Sequence, residues 1–222
     1  MEDKSIFTYI DHTILAPTTS WEDIILICEE AIEHKTASVC IPPSYVKRTY
    51  GKYGDALNIC TVIGFPLGYN TVDVKRYEIT KAIEDGAVEL DVVINQGDVK
   101  NKEYNKITTE LAELKKACGD KILKVIVETC NLTTEEKEAV CKCVTDSGAD
   151  YIKTSTGFGT GGATLEDVEL FKKHIGYGVK IKASGGIRTR EAFETYIDLG
   201  CTRLGTSSAV KVLTNKVDDG TY

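Results

Sequence analysis

Residues 151–157 read Tyr-Ile-Lys-Thr-Ser-Thr-Gly. A short run rich in β-branched residues that ends at glycine is typical of a strand followed by a loop. Lys153 lies inside this run, where an amine loses hydration and therefore needs a partner or a chemical role. The stretch predicts a strand that delivers one lysine to the mouth of a loop.

Two other apolar runs each contain a lysine, at equal distances along the chain before and after Lys153. They are residues 122–126, Ile-Leu-Lys-Val-Ile, with Lys124, and residues 179–184, Val-Lys-Ile-Lys-Ala-Ser, with Lys182. The regular spacing predicts three strands that each bring one amine to the same depth.

Eight short apolar runs, separated by amphipathic segments, predict eight βα units. The predicted strands are Tyr9–Asp11, Ser38–Ile41, Asn58–Ile63, Val88–Ile94, Leu123–Val127, Tyr151–Lys153, Lys180–Ala183 and Arg203–Gly205. Eight units in 222 residues is close to the minimum for a (β/α)8 barrel, which we predict as one domain over residues 1–222. A doubly wound open sheet would need the same local units and is the alternative.

Helix boundaries have recognisable signals between these strands. Residues 19–22 and 133–136 have the pattern of a capping box, in which a hydroxyl and a carboxylate satisfy the first free N–H groups. Glycines close four predicted helices shortly before a strand: Gly86, Gly119, Gly148 and Gly200.

The composition excludes several classes of protein. A net charge of -7 disfavours a nucleic-acid surface and a polybasic membrane patch. No basic and apolar leader begins the chain, and no apolar run approaches the roughly 20 residues of a membrane span. The eight cysteines then predict free thiols in the cytoplasm. The three histidines have no metal-ligand spacing, so we expect no metal.

In a parallel barrel the active site lies at the carboxyl ends of the strands. The candidates at these ends are Asp11, Cys40, Asp91, Lys124, Lys153 and Lys182. The pKa of a free lysine is about 10.4, and lowering it to about 7 needs roughly 4.6 kcal/mol. A second ammonium at about 4 Å supplies roughly 4 kcal/mol at an effective dielectric constant of about 20. We therefore expect Lys182 to lower the pKa of Lys153 and to make it a nucleophile.

Each candidate also has a structural interpretation. Lys153 could have no role beyond pairing with a carboxylate. Asp91, which is flanked by apolar residues, could have no role beyond forming the centre of a salt bridge. Asp11 could be a cap at the start of a loop. Cys40 could be a small buried hydrophobe.

Two glycine-containing loops after the seventh and eighth strands predict a phosphate site, where such barrels commonly bind phosphate. They are residues 184–187, Ser-Gly-Gly-Ile, and residues 205–208, Gly-Thr-Ser-Ser, with Gly157 nearby. Residues 157–162 also match the GxGxxG pattern of dinucleotide sites. The acidic residue expected about 20 positions later is missing, which disfavours that interpretation.

Seven segments together resemble the deoxyribose-phosphate aldolases, a family of class I, Schiff-base enzymes. These segments are residues 11–13 (DHT), 61–68 (TVIGFPLG), 89–95 (ELDVVIN), 124–129 (KVIVET), 153–159 (KTSTGFG), 182–188 (KASGGIR) and 205–208 (GTSS). They cover nearly the whole chain in order. The resemblance implies a TIM barrel that interconverts 2-deoxy-D-ribose 5-phosphate with D-glyceraldehyde 3-phosphate and acetaldehyde, without a cofactor.

The resemblance also implies roles for individual residues. Lys153 forms the imine, Lys182 and Asp91 donate and accept protons, and Lys124 belongs to the supporting polar network. The implied substrate contacts are Asp11, Thr13, Cys40 and Thr156. The implied phosphate contacts are Gly157, Gly185, Gly186, Gly205, Ser207 and Ser208. Some relatives have lysine at the position of Phe158, so phosphate here would rest on backbone amides, hydroxyls and a helix dipole.

The expected partners are the phosphosugar and aldehyde substrates, with no nucleic acid and no membrane. Relatives suggest a homo-oligomer, a dimer or higher. Residues 213–222 are predicted to be a mobile tail, and Tyr222 could fold over the site.

Two other functions stay open on the sequence. One is a phosphosugar isomerase or epimerase that uses Asp91 as a base without a covalent intermediate. The other is a barrel that binds phosphosugars without catalysis.

Overall fold

The computed structural model describes residues 6–214, which form a closed barrel of eight parallel strands surrounded by helices. Neighbours in the barrel are neighbours in the chain, and the first strand pairs with the last to close the ring. The strands are β1 (Ile10–Thr13), β2 (Ser38–Ile41), β3 (Ile59–Ile63), β4 (Glu89–Val93), β5 (Ile122–Ile126), β6 (Tyr151–Lys153), β7 (Lys180–Ser184) and β8 (Arg203–Thr206). The predicted (β/α)8 barrel is confirmed.

The helices within residues 6–214 lie outside the strands and connect them. They are α1 (Trp21–His34), α2 (Pro43–Tyr53), α3 (Val72–Glu84), α4 (Gln96–Lys100), α5 (Tyr104–Cys118), α6 (Thr134–Asp146), α7 (Leu165–His174), α8 (Arg190–Asp198) and α9 (Ala209–Thr214). Short 3₁₀ turns occur at Gly54–Ala56 and Thr129–Asn131. None of the helices in the described part of the chain is both long and apolar enough to cross a membrane.

The two predicted capping boxes differ in outcome. The box at α6 is confirmed, because the Thr133 hydroxyl accepts from the Glu136 N–H and the Glu136 carboxylate accepts from the Thr133 N–H. The box at α1 was placed one residue too early. Ser20 is the N-cap and pairs with Asp23, whereas the Thr19 hydroxyl donates to a carbonyl in the preceding turn.

The strands divide their side chains between two environments, because successive residues point to opposite faces. In β4, Leu90 and Val92 belong to the large apolar core between the sheet and the helices. Glu89 and Asp91, which alternate with them, form ion pairs inside the barrel. The apolar layer thus stabilises the fold from outside the ring, while the interior of the ring is available for charged groups.

The strand register decides which lysines lie at the same depth. Lys153 on β6 is the direct partner of Lys182 on β7, as predicted. Lys124 on β5 pairs with Tyr151, whereas Ile126 pairs with Lys153, so Lys124 lies two residues deeper. The prediction of equal depth was therefore wrong for Lys124. Equal spacing along the chain does not fix depth, because loop lengths and the stagger of the strands also contribute.

The predicted tail begins too early. Leu213 and Thr214 are the last residues of α9, and Leu213 is buried. The rest of the predicted tail, including Tyr222, lies outside the described residues.

Candidate active site

A cavity of about 480 Å³ opens at the carboxyl ends of the strands. Loops after β1, β6, β7 and β8 form its walls, and Lys153 reaches it from the end of β6. The polar and glycine residues that line it are Thr13, Lys153, Thr156, Gly157, Ser184, Gly185, Arg188, Gly205, Thr206, Ser207 and Ser208. The apolar ones are Ile14, Leu15, Ala16, Pro17, Phe158 and Ile187. The cavity therefore has a polar side built from β6, β7 and β8 and an apolar side built largely from the loop after β1.

Asp91 connects the two lysines of equal depth. Its Oδ2 accepts from Lys153 Nζ at 2.7 Å and from Lys182 Nζ, also at 2.7 Å. The two nitrogens can be no farther apart than twice that distance, so the amines lie close together as expected. A carboxylate oxygen lies between them, which the sequence interpretation of a bare lysine pair did not include.

A second group of charges supports this arrangement from deeper in the barrel. Lys124 Nζ lies 2.8 Å from Asp91 Oδ1, 2.7 Å from Glu89 and 3.4 Å from Asp11. Arg203 bridges Asp11 and Glu89 at 2.6 and 2.7 Å. Lys182 also donates to Asp11, which links β7 to β1.

Seven residues therefore form one continuous ion network: Asp11, Glu89, Asp91, Lys124, Lys153, Lys182 and Arg203. Three are carboxylates and four are cations, so the fully ionised network has one positive charge in excess. Lys124 and Lys182 are completely buried, whereas Lys153 both belongs to the network and lines the cavity. Lys153 is thus the network amine that a ligand in the cavity can reach.

Burial and ion pairing act in opposite directions on the network, and ion pairing prevails. Burial alone would raise the pKa of Asp91, but Lys124, Lys153 and Lys182 hold that pKa well below its usual value. Burial alone would lower the pKa of Lys182, but attraction to Asp11 and Asp91 raises it. The same balance lowers the pKa of Asp11 and raises the pKa of Lys124. Asp91 is therefore ionised and Lys182 is cationic throughout the neutral range.

These shifts predict the pH dependence of stability. Asp11 and Asp91 have an ordinary pKa of 3.8 and a lower pKa in the folded state, so their contribution is present above about pH 4 and is lost as the pH falls further. Lys124 and Lys182 have an ordinary pKa of 10.5 and a higher folded pKa, so their contribution is present below that value and is lost as the pH rises through the folded pKa. We expect the network's contribution to the free energy of unfolding to be level between about pH 5 and 9 and to fall steeply below about pH 4.

Urea unfolding between pH 3 and 9 measures this dependence. Asp11→Asn removes one of the shifted carboxylates, so its free energy of unfolding should fall less steeply below pH 4 than that of the unmodified protein. Equal acid slopes for the two proteins would contradict the assigned pKa shifts.

Two buried thiols lie against the network. Cys60 Sγ donates to Asp91 Oδ1 at 3.2 Å, and burial raises the pKa of Cys60 well above its usual value. Cys40 is its direct strand partner and is completely buried. Neither Cys40 nor Asp11 lines the cavity, although both were expected to contact the substrate. Their side chains alternate inward on strands β1 and β2 below the mouth, where the ring is filled.

The predicted phosphate residues gather at one end of the cavity. Gly157, Gly185, Gly205, Ser207 and Ser208 line it, but Gly186 does not. A Cβ at Gly185 would lie 2.9 Å from the backbone of Gly162, and one at Gly205 would lie 2.9 Å from the Ser184 side chain. Only glycine fits these close approaches, which is why these loops can bring backbone N–H groups to a ligand.

Two side chains qualify the expected phosphate site. The guanidinium-bearing residue Arg188 lines the cavity beside these glycines and was not among the predicted contacts. Phe158 also lines the cavity, and its ring packs edge-on against Phe65 with centroids 5.3 Å apart. This end of the cavity therefore has a cation from the loop after β7, although the position of Phe158 itself is apolar.

Four more residues of the site were not singled out from the sequence. Glu89 and Arg203 could have been identified from the sequence. Glu89 lies two residues before Asp91 on β4, and Arg203 lies on β8, the strand that pairs with β1 and Asp11. Cys60 could not, because a single cysteine in an apolar strand is most often a packed hydrophobe. Glu128 lies two residues after the end of β5 and contacts Thr156, a pairing that no local pattern indicates.

Donor groups spaced for a metal also occur in this region. Within the described residues they are Cys40, Cys60 and Asp91, and Asp11, Cys60 and Glu89. Their carboxylates already bind lysine or arginine cations at 2.6 to 3.4 Å. A divalent cation would meet these positive charges, so the donor sets do not favour a metal.

Comparisons with known proteins agree on one family. The model of the DeoC/LacD family aldolases matches residues 5–207. A deoxyribose-phosphate aldolase of Clostridium botulinum (strain Eklund 17B / Type B) is 58% identical over 99% of this chain and 100% of its own length. One of Clostridioides difficile (strain 630) is 56% identical over 96% and 97%. A solved deoxyribose-phosphate aldolase from Aeropyrum pernix, described as a tetramer, is 30% identical with a TM-score of 0.87 over 96% of this chain and 92% of that one.

Proposed function

Because this chain belongs to the DeoC/LacD family of aldolases, we propose that it interconverts 2-deoxy-D-ribose 5-phosphate with D-glyceraldehyde 3-phosphate and acetaldehyde. The relatives that share more than half of its residues over nearly their whole length are named for deoxyribose phosphate. The observation that carries the proposal is the shared oxygen of Asp91, which holds Lys153 and Lys182 side by side at the floor of the cavity.

Lys153 is the nucleophile of this proposal. Its amine attacks the substrate aldehyde carbon, and loss of water gives a protonated imine. The electron pair of the cleaved carbon–carbon bond then flows into this imine and leaves an enamine, so the chemistry needs no metal or organic cofactor. Of the four cations in the ion network, Lys153 is the one that the cavity exposes to a ligand.

Lys182 is the proposed second proton carrier. The network has four cations and three carboxylates. Lys182 keeps its own proton, because Asp11 and Asp91 raise its pKa. We infer that Lys182 is the protonated group that donates and accepts protons beside Lys153.

Asp91 is proposed to move protons. The substrate hydroxyl must lose a proton as the carbon–carbon bond breaks, and the enamine must then gain one at carbon. The depressed pKa of Asp91 keeps it in the basic form, and its hydrogen bonds to Lys153 and Lys182 give it two routes for a proton. Water in the cavity would complete the path from Asp91 to the substrate. Lys124 and Arg203 hold the carboxylates in place.

The substrate phosphate is proposed to bind at the end of the cavity formed by the loops after β6, β7 and β8. The proposed contacts are Gly157, Gly185, Gly186, Gly205, Ser207 and Ser208. Arg188 adds a positive charge that the sequence interpretation did not include. Thr13 lines the opposite, apolar side of the cavity and is proposed to contact the sugar end.

The two rival functions have less support. A phosphosugar isomerase or epimerase would need Asp91 as a base but would not need an amine at the cavity floor. The relatives at 53 to 58% identity are named aldolases, so this alternative is not favoured. A barrel that only binds phosphosugars would not need seven charged groups inside the ring, since removing charges from water costs desolvation free energy even when they are paired.

Borohydride reduction tests the covalent intermediate. We expect that 2-deoxy-D-ribose 5-phosphate or acetaldehyde, reduced with sodium borohydride on the protein, leaves a stable adduct on the peptide that contains Lys153. Mass spectrometry of the digested protein locates the adduct and measures its stoichiometry, which should approach one per chain.

Controls separate the covalent scheme from unspecific lysine chemistry. Borohydride without substrate should leave the peptide unchanged, and glycerol 3-phosphate, which has no carbonyl, should give no adduct. Turnover of the phosphosugar without any trapped adduct would instead support a mechanism that does not use an imine.

We also propose that the chain forms a homo-oligomer, a dimer or higher, in the cytoplasm, as one domain over residues 1–222. The relative described as a tetramer supports assembly. All eight cysteines are free thiols, which supports a reducing compartment.

A further inference from the structure

Glu128 has an unusual backbone conformation at a buried position. It lies two residues after the end of β5, its φ is 55° and its ψ is 67°, and it is 2% exposed. A residue other than glycine rarely adopts this left-handed region, and such residues often have a functional constraint. The conformation turns the chain out of β5 and into the 3₁₀ turn at Thr129–Asn131.

The carboxylate of Glu128 contacts the loop that follows Lys153. Both of its oxygens lie 3.3 Å from the backbone N of Thr156, and one also accepts from the Thr156 hydroxyl. The oxygen of that hydroxyl in turn accepts from the Phe158 N–H at 3.0 Å. A hydrogen-bonded chain thus runs from Glu128 through Thr156 to Phe158.

Within residues 6–214, Glu128 forms no ion pair, and its donors are the Thr156 backbone and hydroxyl and the Cys130 thiol. A buried carboxylate without a cation is expensive unless several donors are directed at it. The Thr156 hydroxyl donates its proton to Glu128, so that proton is not available to a substrate. Thr156 lines the cavity, but its hydroxyl is engaged by Glu128 and by the Phe158 N–H.

The backbone on either side of Glu128 is fixed to the same loop. The Val127 N–H donates to the Lys153 carbonyl, and the Thr129 N–H donates to the Thr154 carbonyl, both at 3.0 Å. A Cβ at Gly159 would lie 3.2 Å from the Glu128 carboxyl carbon, so the loop closes tightly over it. Residues 154–159, which we call the β6 loop, therefore have Glu128 as their support.

We propose that Glu128 is a positioning residue that fixes the β6 loop so that the backbone of Gly157 can bind the phosphate of the substrate. The inference depends on the proposed function, since it assigns a part of the same site. Thr156, Gly157 and Phe158 all line the cavity, whereas Glu128 does not. Glu128 acts on the substrate only through the conformation of these three residues.

Glu128→Gln tests the proposal, because glutamine keeps the size but has one acceptor oxygen instead of two. We expect KM for 2-deoxy-D-ribose 5-phosphate to rise about tenfold, since a hydrogen bond to a charged group is weakened. Turnover, kcat, should change less than about threefold, since Lys153 and Asp91 keep their contacts. Inhibition by inorganic phosphate should weaken by the same factor of about ten.

The unphosphorylated sugar 2-deoxy-D-ribose separates positioning from a general structural role. Its kcat/KM should be nearly unchanged by Glu128→Gln, because it has no phosphate to bind. Glu169→Gln, the same change at an exposed position on α7, is the matched control and should alter none of these values. Thermal unfolding verifies that each variant is folded.

Substitutions of Thr156 test the same chain from its other side. Thr156→Ser keeps the hydroxyl, so its KM for the phosphosugar should rise much less than that of Thr156→Val. Thr156→Val removes the hydroxyl and should raise KM for the phosphosugar as Glu128→Gln does. Combining Glu128→Gln with Thr156→Val should raise KM by much less than the product of the single effects, because both break one chain.

The outcomes distinguish this proposal from the proposed function. Failure of the unmodified protein to cleave the phosphosugar would overturn the function. The positioning role would be overturned if the unmodified protein is active and Glu128→Gln lowers kcat/KM by the same factor for both sugars. It would also be overturned if Glu128→Gln changes kcat/KM for neither sugar. If Glu128→Gln does not fold, the comparison of Thr156→Val with Thr156→Ser tests the positioning role. The measured quantity is again kcat/KM for the phosphosugar relative to that for 2-deoxy-D-ribose.

Discussion

Lys153→Leu should lower kcat for phosphosugar cleavage by roughly 10⁴-fold or more, as loss of a covalent nucleophile does in other enzymes. Leucine cannot form an imine, and no other network lysine lines the cavity. The variant should stay folded, because Asp91 keeps its hydrogen bonds from Lys124 and Lys182. Steady-state rates measure the loss, and protection from thermal unfolding by the phosphosugar shows that binding persists.

Lys180→Leu is the matched control for this variant. Lys180 is the exposed first residue of β7, at the amino end of the strand away from the cavity, and it should tolerate the change with kcat within about twofold. If Lys153→Leu kept more than about a tenth of its kcat, the catalytic amine would have to belong to another residue.

Asp91→Asn has two expected effects, because Asp91 is both a proton carrier and the centre of the ion network. We expect kcat to fall roughly 10²- to 10⁴-fold, the usual contribution of general acid–base catalysis. The free energy of unfolding should fall by about 3–5 kcal/mol, since three buried ammonium groups lose their common carboxylate. Rates at saturating substrate and urea titrations measure the two effects separately.

Asp98→Asn controls for the loss of a buried carboxylate away from the site. Asp98 is 5% exposed and pairs with Lys106 at 2.7 Å outside the barrel. This variant should lose some stability but keep its kcat within about twofold. A fall in kcat of similar size in both variants would show that Asp91 acts only on the fold.

The strands were predictable because their signals are local. The β-branched run that ends at Gly157 and the Thr133 capping box each depend on a few adjacent residues, and the structure has them where the sequence indicates. The closeness of Lys153 and Lys182 was also predictable, because each lysine is the third residue of its predicted strand and these two adjacent strands begin in register, Tyr151 opposite Lys180.

Depth within the barrel was not predictable, because it depends on the stagger between strands. Lys124 lies two residues below its expected level, and Asp11 lies under the cavity instead of at its edge. The Glu128 contact with Thr156 joins two segments that no local pattern connects. Contacts of this kind, between segments on different strands, depend on the arrangement of the closed barrel and not on any local sequence pattern.

The ion network is divided between the two ends of the chain. All three of its carboxylates come from β1 and β4, and all four of its cations come from β5, β6, β7 and β8. Either half of the barrel alone would hold network charges of only one sign, and these charges would repel one another without the opposite charges of the other half. The amino-terminal and carboxyl-terminal halves are therefore electrostatic complements, and each needs the other before its inward-facing residues can leave water.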